Sequence, residues 1–122
     1  MTRKWLACVL TASVMFGAAV LAGPARAGDP TFDVDRVKRQ ITRAWGGNDR
    51  KAIRVADCES SLNPKAASPE EKYLGLWQFS KATWKDYGGP GDDPRDVGAY
   101  KQTVVAWALF QNRGWAPWPS CA

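Results

Sequence analysis

Two cysteines, Cys58 and Cys121, restrict this chain more than any other feature of its sequence. A third, Cys8, falls inside an N-terminal segment with the three-part layout of an export signal. Arg3 and Lys4 give a basic start, "WLACVLTASVMFGAAVLAG" is an apolar run, and "ARA" at Ala25 to Ala27 is a small-x-small cleavage site. Cleavage is expected after Ala27, which makes residues 1–27 a signal peptide and leaves one domain over residues 28–122. A retained membrane anchor is the competing assignment, because the run approaches bilayer length. The polar segment directly after the cleavage site favours removal, so the membrane is expected to matter only through uncleaved signal peptide. In an oxidising compartment Cys58 and Cys121 then have a single pairing available, with two free thiols as the alternative. Closing a loop of about 60 residues stabilises a fold by roughly 4 kcal/mol in the chain-entropy model. That is a large share of the about 5–15 kcal/mol that holds a typical domain together. A mature chain of 95 residues builds only a small core, and such a staple matters to it.

Charge and composition remove several function classes. The chain contains no histidine, which excludes Ser-His-Asp chemistry and histidine-bound zinc. Neither a metal nor a cofactor is expected. The formal charge of +5 falls to +2 once Arg3, Lys4 and Arg26 leave with the signal. No dense Lys/Arg stripe survives, so a nucleic-acid partner is not expected. The residual positive charge suits an anionic polymer.

Periodicity predicts a mostly helical domain without repeats. Asp33 caps a helix with apolar positions Val34, Val37, Ile41 and Ala44, ending at Gly46-Gly47. A second helix starts at Asn48 or Asp49, buries Ile53 and Ala56, and finishes near Ser60 or Ser61, ahead of Asn63-Pro64. An irregular stretch then leads to the apolar "YLGLWQF". Ser80 caps the short helix "KATWKDY", which stops at Gly88-Gly89. Asp93 and Pro94 are expected to open a longer helix with a core stripe of Val97, Tyr100, Val104, Trp107 and Ala108, ended by Gly114. The tail "WAPWPSC" is irregular and pinned by its cysteine, with Trp115 and Trp118 locking it to the domain.

Glu59 stands in the last turn of the second helix, directly after Cys58. The negative end of the helix dipole raises a carboxyl pKa there, but by less than one unit at an exposed end. A general acid working near neutral pH needs about two units, so desolvation by apolar neighbours such as Leu76, Trp77 and Phe79 must supply the larger part. Bonded to Cys121, Cys58 would tie the helix end bearing Glu59 to the tail. Taken alone, Glu59 is better read as an exposed helix residue and Cys58 as a stability staple.

Several separated motifs add to this. "CESSLNPKAASP" followed by "GLWQF" resembles the Glu-Ser…Asn-Pro…Gly-Leu-x-Gln signature of the soluble lytic transglycosylases of the lysozyme superfamily. "ADCESSLNP", "GLWQFSKATW" and "GWAPWPSC" are also similar to secreted transglycosylase-like domains of bacterial cell-wall enzymes, including the resuscitation-promoting factors. The resemblance covers roughly Ile53 to Ala122. It implies a small, mostly α, lysozyme-like domain with one disulfide, secreted to the cell wall and monomeric, acting on peptidoglycan glycan strands. By the same resemblance Glu59 is the catalytic acid/base, and Ser68 supports the glutamate and the substrate N-acetyl group. Gln78 lines the glycan groove, Gly75 lets backbone approach sugar, and Tyr73 and Trp84 present aromatic rings. The implied reaction cleaves the β-1,4 bond between N-acetylmuramic acid and N-acetylglucosamine with a single glutamate. The substrate acetamido oxygen would then assist at C1, a known exception to the two-carboxylate rule. Asp57, Glu70, Glu71, Asp86, Asp92, Asp93 and Asp96 read as caps or solvated surface. A non-catalytic peptidoglycan-binding module on the same scaffold, and a disulfide-stapled extracellular interaction protein, are the alternatives.

Overall fold

The computed structural model describes residues 32–122, and the expected signal peptide lies outside the described residues. Helix α1 spans Val34–Ala44, opened by Asp33, whose Oδ1 accepts from the amides of Asp35 (2.9 Å) and Arg36 (3.2 Å). Val37 and Ile41 are buried, whereas Val34 stays 39% exposed. Helix α2 spans Asp49–Ser60, with Asn48 Oδ1 accepting from the Lys51 amide at 3.3 Å. Its buried face is Ala52, Val55, Ala56 and Ser60; Ile53, expected in the core, is half-buried. The helix ends before Asn63-Pro64 because Ser61 and Leu62 both adopt left-handed backbone, at φ 57° and 62°. Such conformations cost of order 1–3 kcal/mol for non-glycine residues. Burial of the Leu62 side chain offsets the cost.

The segment from 63 to 80 is irregular but closely bonded. Leu74 forms isolated bridges to Ala67 and to Phe79. Helix α3, Lys81–Asp86, is capped by Ser80, whose Oγ accepts from the Thr83 amide at 3.1 Å. Trp84 on α3 is fully buried. Its indole N–H donates to the Pro90 carbonyl at 3.1 Å, and its ring lies where any Cβ on Gly89 would stand.

Helix α4, Ala99–Arg113, departs from expectation in two respects. Asp93 and Pro94 do not open it; they open a three-residue 3-10 turn, Pro94–Asp96, that extended Val97 terminates. Gly98 precedes the helix itself. The buried face is also rotated from the expected stripe. It consists of Ala99, Gln102, Thr103, Val105, Ala106 and Leu109, while Tyr100 and Val104 are 38% and 44% exposed. Val97, Trp107 and Ala108 are half-buried. The polar pair points inward because it completes internal bonds. Gln102 Oε1 accepts from the Leu76 amide at 2.7 Å, and its Nε2 donates to the carbonyls of Val97 (2.9 Å) and Pro64 (3.1 Å). Thr103 Oγ1 accepts from the Trp77 indole at 3.0 Å.

Helix α1 packs on α4 and α2. Between them Trp45 stacks on Trp77 at 5.2 Å and on Trp115 at 5.5 Å, with Trp107 edge-on at 5.0 Å. The domain is thus mostly helical, as expected, and the structure adds an aromatic cluster at its core. Cys58 and Cys121 are bonded across it, their Cα atoms 5.7 Å apart.

Candidate active site

Glu59 occupies the last turn of α2, which three links hold in place. Ser60 Oγ contacts the Leu76 carbonyl at 2.8 Å and the Ala56 carbonyl at 3.0 Å, tying the helix end to the "GLWQF" segment. The Cys58–Cys121 bond ties it to the tail. Trp118 is buried and its indole donates to the Trp77 carbonyl at 3.0 Å, so the tail is fastened to that same segment. Successive helix residues point about 100° apart, so Cys58 and Glu59 serve different faces.

These links frame a cleft of about 500 Å³. Glu59, Tyr73, Trp77, Gln78 and Phe79 line it, with Ser80 and Thr83 from the start of α3. Leu109 and Arg113 of α4 and the tail from Ala116 to Cys121 complete the lining. Glu59 is half-buried, and burial pushes its carboxyl pKa up from the ordinary value of 4.5. Among the described residues no ion pair opposes that shift. A carboxyl so placed holds its proton to higher pH than one in water, as a proton donor must.

The structure brings three of the expected site residues together: Glu59, Tyr73 and Gln78. Tyr73 is 41% exposed at the cleft. Gln78 is held at φ 51° with its Nε2 donating to the Gly75 carbonyl at 2.9 Å. Three others lie outside the lining. Ser68 Oγ accepts from the Tyr73 amide at 2.8 Å and its own amide donates to the Tyr73 carbonyl at 2.9 Å, which braces the loop that carries Tyr73. Arg95 braces the same loop by pairing with Glu71 at 3.3 Å and Asp93 at 2.7 Å. Gly75 is buried at φ 86°, and a Cβ there would meet Gln102 Oε1, so α4 rather than sugar requires the glycine. Trp84, expected as an exposed ring, is a core residue whose burial leaves no face for a ligand. Sequence reasoning missed Thr83 and Arg113. Thr83 lies inside "GLWQFSKATW" but was given no role there. Arg113 belongs to no motif, and a basic residue in a last helical turn is ordinarily read as a partner for the helix dipole.

The family model for the transglycosylase-like domain matches residues 46–121. The chain belongs to the transglycosylase-like domain family. The matched segment begins at the turn after α1 and takes in α2, the cleft lining and both bonded cysteines. Among curated proteins, this transglycosylase-like chain is 40% identical over 67 residues to resuscitation-promoting factor RpfC of Mycobacterium tuberculosis, covering 55% of the chain and 46% of that protein. It is 29% identical over 118 residues to resuscitation-promoting factor Rpf1 of Corynebacterium glutamicum, covering 90% of the chain and 49% of that protein. The chain therefore spans about half the length of the curated relatives it matches. No solved structure matches it.

Proposed function

We propose that the domain is an exported enzyme that cleaves peptidoglycan glycan strands at the β-1,4 bond between N-acetylmuramic acid and N-acetylglucosamine, with Glu59 as its acid/base. One observation carries this reading. Glu59 is the sole carboxylate among the residues described as lining the cleft, and burial raises its pKa. Membership of the transglycosylase-like family supports the substrate class.

A single carboxyl group dictates the chemistry. Glycosidases that use two acids place the second as nucleophile or as base for water, at defined separations. Here the protonated Glu59 donates to the glycosidic oxygen as its bond to C1 breaks. The acetamido oxygen of the same muramoyl unit takes up the electron deficiency at C1. Glu59, now ionised, removes the proton of the 6-hydroxyl as that oxygen attacks C1, and a 1,6-anhydro end results. Attack by water instead gives a reducing end. Tyr73 and Gln78 contact the glycan from the cleft lining, the former offering a ring face and the latter its amide. The first 27 residues direct export and are removed.

Glu59→Gln tests the assignment, since the amide keeps the shape but has no proton to donate. On purified cell walls the variant should retain its fold and lose about 10²- to 10⁴-fold in turbidity-clearing rate, the usual worth of a positioned acid. Mass spectrometry of the fragments released by the unmodified protein should show anhydro ends. Undiminished cleavage by Glu59→Gln moves the acid elsewhere, and wild-type protein that binds walls but releases no fragments is a binding module.

A further inference from the structure

The cleft has a second charged group, and the mechanism does not use it. Arg113 stands in the last turn of α4 and lines the cleft that contains Glu59. It is the single guanidinium or ammonium among the described residues of that lining, and none of their carboxylates forms an ion pair with it. Its backbone is committed, with the carbonyl accepting from the Ala116 amide at 3.3 Å while Gly114 closes the helix on Phe110 at 2.7 Å. That places the base of the side chain at the junction of α4 with the tail.

We propose that Arg113 is a specificity-determining residue that binds a carboxylate on the arm carried by O3 of the muramoyl unit, and so fixes which sugar of the alternating polymer lies at Glu59. The inference rests on the glycan-cleaving reading above. In such a polymer only every second sugar bears the lactyl arm, and its carboxylate is either free or replaced by those of an attached peptide. The two sugars are otherwise nearly isosteric, so shape separates them poorly. A guanidinium separates them by charge, because its planar donors match a carboxylate two-to-two. Glu59 does not compete for that guanidinium while it carries the proton the reaction needs. The remaining polar lining groups (Ser80, Thr83, Gln78, Ser120, Tyr73) are neutral hydrogen-bonding partners for sugar hydroxyls and amides.

Arg113→Gln and Arg113→Lys test the proposal on three soluble glycan substrates of equal length. One carries peptide stems, one is stripped to free lactyl carboxylates, and one is stripped and capped as the lactyl methylamide. Arg113→Gln should raise KM about fivefold on the carboxylate-bearing substrate that the residue reads, the upper range for an exposed ion pair. The rise should shrink on the methylamide, and the lysine variant should fall between. A rise confined to the peptide-bearing glycan assigns the contact to the stem, and one confined to the stripped glycan assigns it to the lactyl group. Equal losses on all three substrates, or no change on any, overturn the role of Arg113. Wild-type protein that cleaves none of the three overturns the glycan-cleaving reading instead, and the two failures are distinguishable.

Discussion

The Glu59 carboxyl is placed where burial favours its proton and makes its ionisation costly to the fold. Burial raises its pKa above the ordinary 4.5, so ionising it costs more in the folded protein than in the unfolded chain. The sign of the linkage follows. Below the ordinary value both states hold the proton and nothing is lost. As pH rises through the raised folded value, the folded state must give up a proton that it binds more tightly, and stability falls. Glu59→Gln has no such proton. Its melting temperature, relative to the unmodified protein, should therefore be higher at pH 7 than at pH 3.5; a difference that does not change between the two pH values would show a carboxyl ionising as it does in water. At this scale the motifs named three residues, Glu59, Tyr73 and Gln78, that the fold brings to one cleft. They misled at Trp84, since nothing local tells a buried indole bonded to the Pro90 carbonyl from one offered to a ligand. Arg113 was silent, because its significance comes from neighbours folded in from other parts of the chain.

Helix α4 shows how an element can be recognised and still be misoriented. Its end at Gly114 was legible from the glycine, and its existence from length and composition. The buried face was not legible from an apolar count. Two of its inward positions are polar, and Tyr100 and Val104, which fit the helical period, face outward. Gln102 and Thr103 are inside because they satisfy the Leu76 amide and the Trp77 indole in the irregular segment of the cleft. The start of the helix was misjudged for a related reason. Asp93 and Pro94 are genuine opening signals, but extended Val97 limits them to a single turn. Thr103→Val keeps the shape and removes the hydroxyl, leaving a buried indole N–H unpaired. It should destabilise the domain by about 1–3 kcal/mol, the cost of one unsatisfied buried donor. In urea the midpoint should drop with the slope unchanged. An unchanged midpoint would mean that the indole finds another acceptor.

Across the whole domain, the covalent bond between Cys58 and Cys121 spans 63 positions of sequence and joins the acid-bearing helix end to the tail. This much could be read from two cysteines and the expectation of an oxidising compartment. The path of the tail between them could not, since it depends on Trp118 reaching the Trp77 carbonyl. Replacing both cysteines by serine should cost about 4 kcal/mol, as the unfolded chain regains the freedom of that loop. Equilibrium denaturation of the double variant against the oxidised protein measures it, and equal stability would show that the bond holds geometry without holding the fold. The tail has a temporal consequence as well. The segment from Ala116 to Cys121 is made after every other part of the cleft, and it is fastened by a thiol that must find a partner synthesised much earlier. Until a ribosome has passed Cys121 and an oxidant has joined the two sulfurs, the nascent polypeptide carries its acid without the covalently anchored wall.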